Sequence, residues 1–436
     1  MRIRTKTASA GLLIALLFCA RVVASQSAQP SAIEQLRDLR QQAHAAIVVG
    51  DQKKRLEIVL QIQRLMHNSP ASVETLAQAY AAAGDDDKAI AALNEFADMG
   101  QSDDDLLHGK DKEFSRLTAQ PAYQQVLKRF AANEMPLSRA ETALVLPDSS
   151  LLAEDVDYDA RTKSFLITSV LEKKIVQVGL DGKARDFALS PSGWPMLAIK
   201  VDAQRSRVWA TEVALDGFKV VRPTDWGRSA VLCFDLSSGK LLHRVEGPKP
   251  SALGDMTLTR EGDPIVSDGD GGGVYRLQGD SLQRLDHGEF ISPQTPAMHP
   301  DGKHVFIPDY TRGIGVLDLA SKEVTWLAQG GSKPYALTGV DGLYLDHGWL
   351  TLVQNGTSPE RVIRLKLNPS LRRVVSEELI ERATPTLGDP THGVLVGDYF
   401  YYIANSGWNQ LDEHGALLSG AAFTAPRIMR FHLPTN

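Results

Sequence analysis

A unit made of two apolar strands and a tight turn repeats six times in the chain after residue 150. Each unit places Asp, Asn, Ser or Glu at the end of its second strand. The clearest second strands cover residues 165–169, 208–212, 265–268, 305–309, 350–355 and 401–405. Repeats of about forty to fifty residues, rich in β-branched and aromatic positions, are typical of propellers with four-stranded blades. The repeat therefore predicts an all-β six-bladed propeller over residues 144–436.

The two ends of this region indicate how the ring of blades closes. Residues 427–433 form the last predicted strand of the printed sequence. Residues 142–146, just before the first unit, form another apolar segment. We expect this segment to complete the sixth blade, because a strand borrowed from the other end of the region removes two exposed sheet edges.

Residues 30–133 carry apolar residues at the spacing of amphipathic helices. The stretch Leu76–Ile90 resembles a tetratricopeptide repeat, because its alanines let two helices approach closely, Tyr80 fills the gap and Gly84 ends the first helix. Such arrays need about three units to bury a core, so the segment is either a peptide-binding array or a helical cap. We predict an α-helical, tetratricopeptide-like domain here, followed by a linker over residues 134–143.

The first residues have the pattern of a secretory signal. Arg2, Arg4 and Lys6 precede an apolar run over residues 8–20, with small residues near its end. The run is too short to span a bilayer comfortably. We therefore predict a signal peptide over residues 1–24, an exported protein that is periplasmic or secreted, and no membrane span.

The overall composition is that of an ordinary globular protein, with 43% hydrophobic and 23% charged residues. The formal charge of −6 gives no electrostatic reason to expect a nucleic-acid partner. Cys233 is the only cysteine that remains after removal of the predicted signal peptide, which excludes an internal disulfide and a cysteine metal cluster.

Alignment of the six units on their hairpin turns identifies candidate site residues at the start of each innermost strand. The residues five positions before the turn are Glu154, Leu197, Asp255, Gln294, Asp341 and His392. Five of these six side chains are polar, although an ordinary core would place apolar residues there. Clustered carboxylates without a partner are costly. We therefore expect a binding funnel at the propeller axis, with a water-filled blind channel as the alternative.

The ends of the second strands should lie at the same mouth, because these strands run antiparallel to the first. This places a second polar ring there, made of Ser169, Glu212, Asp268, Asp309, Asn355 and Asn405. Two long aromatic loops, over residues 213–229 and 406–426, leave this face. We predict that both loops act as lids or specificity loops.

The chemistry of the first ring indicates a metal-assisted reaction. Glu154, Gln294 and Asp341 offer hard oxygen ligands that suit Ca²⁺, with Zn²⁺ and Mn²⁺ as alternatives. A cation held there could polarise a carbonyl or phosphoryl oxygen. Asp341 or Asp255 could act as the general base, and His392 could bind substrate or transfer a proton.

Several blade starts together resemble one known family. They are Ala153–Asp159 (AEDVDYD), Gly254–Gly262 (GDMTLTREG), Gln294–Gly302 (QTPAMHPDG), Asp341–Asp346 (DGLYLD) and Arg361–Leu365 (RVIRL). The region over residues 145–433 is similar to the senescence-marker-protein/gluconolactonase (regucalcin-like) family of six-bladed propellers.

The resemblance implies a divalent metal in the central funnel, held by Glu154, Gln294 and Asp341. It also implies that Asp255 contributes to substrate binding. Two residues differ from the family pattern, since Gln294 stands where the family has Asn and Gly254 replaces the Asn of an Asn-Asp pair.

These observations predict a metal-dependent hydrolase of a small-molecule lactone or other small ester. Its predicted metal ligands are Glu154, Gln294 and Asp341. Asp341 is also the predicted catalytic residue, and Asp255 and His392 are predicted to bind substrate. The alternative function is a non-catalytic binding protein that uses the propeller mouth and the helical segment for peptides or glycans. In either case the helical segment could hold a protein partner.

Overall fold

The computed structural model describes residues 30–330 and 333–434. It contains an N-terminal group of helices and a six-bladed β-propeller, which confirms the predicted fold class. The predicted signal peptide lies outside the described residues. Among the helices of the described ranges, none combines the length and the apolar character needed to cross a bilayer.

Six helices make up the N-terminal domain. They are α1 (Ala32–Val48), α2 (Gln52–Leu65), α3 (Pro70–Ala83), α4 (Asp86–Asp98), α5 (Asp104–Leu107) and α6 (Pro121–Asn133). A capping box between Ser31 and Glu34 starts α1. Gly84 ends α3 in the left-handed conformation, with φ of 84°.

Helices α3 and α4 pack against each other through small side chains. Ala77, Ala81 and Ala89 are fully buried in this contact, and Leu93 and Phe130 complete the core with α6. The predicted close approach through alanines is therefore present. The assignment of these helices to the tetratricopeptide class stays a prediction.

Two short strands, β1 (Leu137–Ser138) and β2 (Glu141–Val145), precede the first blade. The first three blades then follow in chain order. Blade 1 contains β3 (Ala153–Asp159), β4 (Ser164–Ser169), β5 (Lys174–Gly179) and β6 (Ala184–Leu189); blade 2 contains β7 (Met196–Asp202), β8 (Arg207–Ala214), β9 (Arg228–Asp235) and β10 (Leu241–Glu246); blade 3 contains β11 (Leu253–Leu258), β12 (Pro264–Asp268), β13 (Gly273–Gln278) and β14 (Ser281–Arg284).

The last three blades complete the ring. Blade 4 contains β15 (Ala297–Met298), β16 (His304–Asp309), β17 (Gly313–Asp318) and β18 (Val324–Trp326); blade 5 contains β20 (Gly342–Asp346), β21 (Trp349–Gln354), β22 (Arg361–Leu367) and β23 (Arg373–Arg382), with β19 (Ala328–Gln329) at its edge; blade 6 contains β24 (Gly393–Val396), β25 (Tyr399–Ile403) and β26 (Arg427–His432). The predicted second strands correspond to β4, β8, β12, β16, β21 and β25 to within two residues.

The fourth strand of blade 6 is β2, as the sequence predicted. It pairs antiparallel with β26, with Thr142 opposite Met429 and Leu144 opposite Ile428. Because β2 comes from the start of the propeller and β26 from its end, their pairing closes the ring. Strand β26 has partners on both sides, so its edge is covered.

The segment over residues 134–143, which we predicted to be a linker, contains strand β1 and the start of strand β2. Strand β1 within it pairs antiparallel with β23, with Leu137 opposite Arg382. Strand β2 begins at Glu141, three residues before the expected start of the propeller at residue 144. The reason is that backbone N–H and C=O groups of this segment satisfy the outer edges of blades 5 and 6.

The innermost strands surround the axis in chain order. Strand β3 contacts β7, β7 contacts β11, β11 contacts β15, β15 contacts β20, β20 contacts β24 and β24 contacts β3. Apolar side chains of adjacent blades form the core between the sheets. The ring therefore brings the starts of six strands, which are far apart in sequence, to a common opening that we call the mouth.

The helical domain packs on the face that carries the mouth. The Arg361 guanidinium donates from Nη1 to the carbonyl oxygen of Met99 at 3.1 Å. The Arg312 guanidinium donates from Nε to the carbonyl oxygen of Leu65 at 2.9 Å. Both arginines lie at turns that follow second strands, at or near the start of a third strand in blades 4 and 5, so the helices are fixed to this face.

Candidate functional site

Three side chains from different blades meet at the mouth. Glu154 is the second residue of β3, and Asp341 and His392 immediately precede β20 and β24. Each offers one ligand atom, and these atoms all lie within 4.8 Å of one another. All three residues are less than 10% exposed. The structure therefore brings together three of the residues that the repeat alignment singled out.

Each of the two carboxylates is oriented by one hydrogen bond. The indole N–H of Trp408 donates to Glu154 Oε2. The Asn355 amide donates to Asp341 Oδ2 at 2.9 Å, and the Tyr310 hydroxyl donates to Asn355 Oδ1 at 2.9 Å. Glu154 Oε1 and Asp341 Oδ1 accept no hydrogen bond from the described residues, so one oxygen of each carboxylate remains for a ligand.

Burial makes ionisation of the mouth carboxyls unfavourable. It raises the pKa of Glu154 to about 8, and the negative charge of Asp341 adds to this effect. It raises the pKa of Asp341 to about 6. Burial also raises the pKa of Glu360 to about 7 and that of Asp389 to about 6. A bound cation would offset this cost by favouring the charged forms.

His392 uses both ring nitrogens in hydrogen bonds. Nδ1 lies 2.9 Å from the carbonyl oxygen of Glu154, and Nε2 lies 2.7 Å from Asp255 Oδ1. Burial lowers the pKa of His392, but the surrounding carboxylates, Asp341 first among them, raise it well above its ordinary value. A carbonyl oxygen only accepts hydrogen bonds, so Nδ1 donates and has no lone pair for a metal.

Asp255 is fixed by two partners. Its Oδ1 atom accepts a hydrogen bond from the Thr295 hydroxyl at 2.7 Å and contacts His392. Asp255 and His392 were both predicted to face substrate, and the structure places them in contact with each other. Their roles in binding substrate stay predictions.

Gln294 makes hydrogen bonds to its own loop and to Ser267. Its amide nitrogen donates to Ser292 Oγ at 3.1 Å, within its own loop, and its backbone carbonyl accepts from Ser267 Oγ at 2.8 Å. Nothing in these contacts directs the amide oxygen to a cation, so its predicted role as a ligand stays a prediction.

A buried ion pair lies below the mouth cluster, toward the opposite end of the channel. Lys200 Nζ is 2.8 Å from Asp155 Oδ2, which also accepts the backbone N–H of Ile199 at 2.8 Å. Below it a cavity of about 220 Å³ is lined by residues that include Asp157 and Met298. The repeat alignment missed Asp155 and Lys200, because the alignment used one position per strand.

The second polar ring serves mainly to hold turns and neighbouring strands. Asp309 accepts backbone N–H groups of Ile291 and Arg312, and Glu212 accepts hydrogen bonds from Arg244 and two serines. Asn355 is the member that contacts the mouth cluster, through Asp341. The antiparallel order of the strands predicted its location at this face, but only the structure showed its partner.

The two long loops pack together at the mouth. Phe218 of the first loop meets Trp408 of the second edge to face, with ring centroids 5.8 Å apart. The Lys219 backbone N–H donates to the carbonyl oxygen of His414 at 3.0 Å. Because Trp408 also contacts Glu154, this assembly covers one side of the site, in the position expected of a lid.

No family model and no curated protein matches the sequence. Among solved structures, the chain is similar to a gluconolactonase from Xanthomonas campestris, with 15% identity, a TM-score of 0.45 and coverage of 70% of this chain and 93% of that chain. It is also similar to a luciferin-regenerating enzyme, with 14% identity, a TM-score of 0.46 and coverage of 68% and 95%.

A third similar structure is the calcium-binding protein regucalcin from Agrobacterium tumefaciens, with 13% identity, a TM-score of 0.44 and coverage of 67% of this chain and 94% of that chain. The structural neighbours thus include the gluconolactonase and regucalcin propellers that the sequence resembles. At these identities the similarity describes the fold alone.

Proposed function

We propose that the protein is a metal-dependent hydrolase of a lactone or other small ester, with its site at the propeller mouth. The observation that carries the proposal is the meeting of Glu154 and Asp341, two buried carboxylates from blades 1 and 5, next to His392. Two buried carboxylates that face each other without a cation are costly. The substrate class comes from the family resemblance of the sequence.

The donor set fits a hard divalent cation, with Ca²⁺ as the first choice. Glu154 and Asp341 each have one oxygen that accepts no hydrogen bond from the described residues, and oxygen ligands are those that Ca²⁺ prefers. Mn²⁺ and Zn²⁺ are the alternatives. When bound, the ion would supply a Lewis acid that polarises the carbonyl of the substrate.

The chain's own residues then have distinct tasks. Asp341, with a pKa of about 6, is mostly ionised at neutral pH and can accept a proton from an attacking water. Asn355 keeps this carboxylate oriented through its hydrogen bond. Trp408 orients Glu154 and keeps bulk water from that side of the site. His392 and Asp255 contact each other beside these two carboxylates.

A second candidate function is non-catalytic binding. A cavity of about 310 Å³ lies between α1, α2 and α3, and is lined by residues that include Arg40, His44, Ile47 and Val59. The mixture of apolar and basic side chains would accommodate an acidic peptide. In this function the mouth carboxylates would serve only the fold or a structural ion.

The deciding experiment measures calcium binding and hydrolysis in the same samples. We expect Ca²⁺ to raise the Tm of chelator-treated wild-type protein. Asp341→Asn should lose this gain, because it removes a formal charge and one ligand oxygen. Hydrolysis of a panel of lactones and aryl esters should fall about 100-fold or more in the same variant, which is the scale of a lost catalytic group.

Asp346→Asn is the matched control. Asp346 ends the same innermost strand, β20, at the opposite face, so this variant should keep both the calcium effect and the hydrolysis. A wild-type protein that shows neither a calcium-dependent Tm nor hydrolysis of any panel member would refute the enzymatic proposal and favour the binding function.

We also propose that the protein is exported, on the basis of the basic and apolar pattern of its first residues. Cell fractionation and N-terminal sequencing of the mature protein test this directly. We expect a mature chain that begins near residue 25 and is found outside the cytoplasm. A chain in the cytoplasm that retains Met1 would contradict it.

A further inference from the structure

A second group of metal-ligating side chains lies in the hairpin turn of blade 4. It consists of His299, Asp301 and His304, whose donor atoms all lie within 4.8 Å of one another. The turn joins β15 to β16. Since β15 starts toward the mouth, this turn lies at the opposite face of the propeller. The group, which we call the hairpin cluster, shares no residue with the mouth site.

The local sequence brings the two imidazoles together. The His299 backbone N–H donates to the carbonyl oxygen of His304 at 3.0 Å, so the two residues face each other at the base of the hairpin. Asp301 Oδ1 accepts the backbone N–H groups of Lys303 and His304 at 2.7 and 3.0 Å. Gly302 supplies the left-handed turn conformation, with φ of 68°. The turn is thus held in a single arrangement.

The Asp301 carboxylate lies between the two imidazoles. Oδ1 is 3.1 Å from His299 Nδ1, and Oδ2 is 2.6 Å from His304 Nδ1. In tetrahedral coordination, metal–ligand bonds of about 2.0–2.2 Å place neighbouring ligand atoms about 3.3–3.6 Å apart. The three side chains are therefore close to the spacing that a small cation requires. Two nitrogen ligands favour Zn²⁺, Ni²⁺ or Cu²⁺ over Ca²⁺.

Asp318 supports the cluster from the next strand. It is the cross-strand partner of His304, and its Oδ2 atom lies 3.2 Å from His304 Nε2. As the structure stands, His304 Nδ1 donates to Asp301 Oδ2 at 2.6 Å. A metal ion at Nδ1 would replace this proton, and the carboxylate on Nε2 would then hold the tautomer whose Nδ1 carries the lone pair. Metal-binding histidines commonly have such an outer partner.

One of the two ring nitrogens of His299 has a hydrogen-bond partner, since Nδ1 accepts the Asp301 backbone N–H at 3.2 Å. Its Nε2 atom is buried and has no hydrogen-bond partner among the described residues. Its ring lies against Phe306, with centroids 5.5 Å apart.

We infer that His299, Asp301 and His304 bind a transition-metal ion, with Zn²⁺ favoured, and that Asp318 positions His304 for it. The ion would fasten the turn of blade 4, whose innermost strand β15 has only two residues. This inference does not depend on the proposed hydrolase activity, because the two sites lie on opposite faces and offer different ligand types.

Titration calorimetry with Zn²⁺ tests the inference on the full chain, produced without a polyhistidine tag and treated with a chelator. We expect wild type to bind Zn²⁺ at the hairpin cluster and His304→Gln to lose this binding. Asp318→Asn should weaken it about tenfold, as expected for an outer partner. Zn²⁺ should raise the Tm of wild type more than that of His304→Gln.

Two further variants separate this site from other ones. His347→Gln removes an exposed imidazole that lies 2.6 Å from Asp346 in the corresponding turn of blade 5, and Asp341→Asn alters the mouth. Both should bind Zn²⁺ at the hairpin cluster as wild type does.

Equal Zn²⁺ affinity in wild type and His304→Gln would overturn the inference, as would an affinity that falls only in His347→Gln or Asp341→Asn. Circular dichroism of the metal-free variants reports whether each is folded. If His304→Gln does not fold, His299→Gln and Asp318→Asn provide the same comparison.

Discussion

Two residues at the mouth show how the fold prepares a carboxylate for a cation or a proton. Burial raises the pKa of Glu154 to about 8 and that of Asp341 to about 6. One oxygen of each is held by an N–H donor, from Trp408 or Asn355. Since a metal binds the ionised carboxylate, protons and cations compete at the mouth between pH 6 and 8.

Glu360 gives a prediction about pH. Burial raises its pKa from 4.5 to about 7 in the folded protein. The protonated Glu360 side chain contributes its full stabilisation below pH 4.5, where the carboxyl is protonated in both the folded and the unfolded protein. This stabilisation is lost as the pH rises through 7, because the unfolded protein ionises more readily. The amide side chain introduced by Glu360→Gln cannot ionise. In the presence of a chelator, the free energy of unfolding of this variant should therefore be about 2 kcal/mol higher than that of wild type at pH 8. Urea denaturation at pH 5 and pH 8 measures this difference.

The control for this experiment is Glu413→Gln. The Glu413 side chain is 86% exposed, and its replacement should leave the difference in unfolding free energy between pH 5 and pH 8 as in wild type. If Glu360→Gln shows the same decrease with pH as wild type, Glu360 is not the group whose ionisation opposes folding.

Some residue contacts follow from the sequence and others do not. The repeat alignment placed Glu154, Asp341 and His392 at one opening, because strand starts occupy equivalent positions around a ring. It did not predict that His392 bonds to Asp255, since that contact depends on the ring radius and on side-chain rotamers. It also gave no sign that Gln294 would bond within its own loop.

At the scale of elements, the helical domain and the long loops cover the same face of the propeller. The helices are anchored over blades 4 and 5 by Arg312 and Arg361. The loops pack against each other through Phe218 and Trp408. The helices and the long loops therefore border the mouth, while the turn that contains the hairpin cluster lies at the opposite face.

Arg361 gives a prediction about this interface. It is 2% exposed and donates to Gln354 Oε1 at 2.8 Å and to the Met99 carbonyl at 3.1 Å. Arg361→Ala leaves a cavity and unpaired polar atoms, and should lower the free energy of unfolding by about 3 kcal/mol. Urea denaturation measures the loss, and faster proteolysis near residues 134–140 would show release of the helices.

Arg139→Ala is the matched control for Arg361. The Arg139 side chain is 52% exposed and pairs with Glu378 at 3.0 Å, so its removal should cost less than about 1 kcal/mol. Equal losses in the two variants would show that Arg361 does not anchor the helical domain.

At the scale of the whole molecule, one strand closes the ring. Strand β2 comes from the start of the propeller region and completes blade 6 beside β26. The Leu144 side chain packs with Val156 and Ile428 in the core between blades 1 and 6. The stability of the entire ring therefore depends on a contact between residues nearly three hundred positions apart.

Leu144→Ala tests this closure. Leu144 is 8% exposed, and loss of its side chain should lower the free energy of unfolding by about 3 kcal/mol. The neighbouring Val145→Ala is the control, since Val145 is 43% exposed and its replacement should cost no more than about 0.5 kcal/mol. Urea denaturation compares the two, and similar values would mean that β2 contributes little to ring closure.

The sequence by itself determined the number of blades, the strand that closes the ring and the strand ends that share the mouth. These features follow from local alternation of apolar residues and from the antiparallel order of consecutive strands. Both are set within each unit, so they can be found without knowledge of the other blades.

Only the tertiary structure decided which side chains meet. Asp155 pairs with Lys200, and Trp408 contacts Glu154, because of blade tilt, ring radius and loop packing. These quantities depend on the packing of all six blades together. The order of residues along one strand carries too little information to fix them.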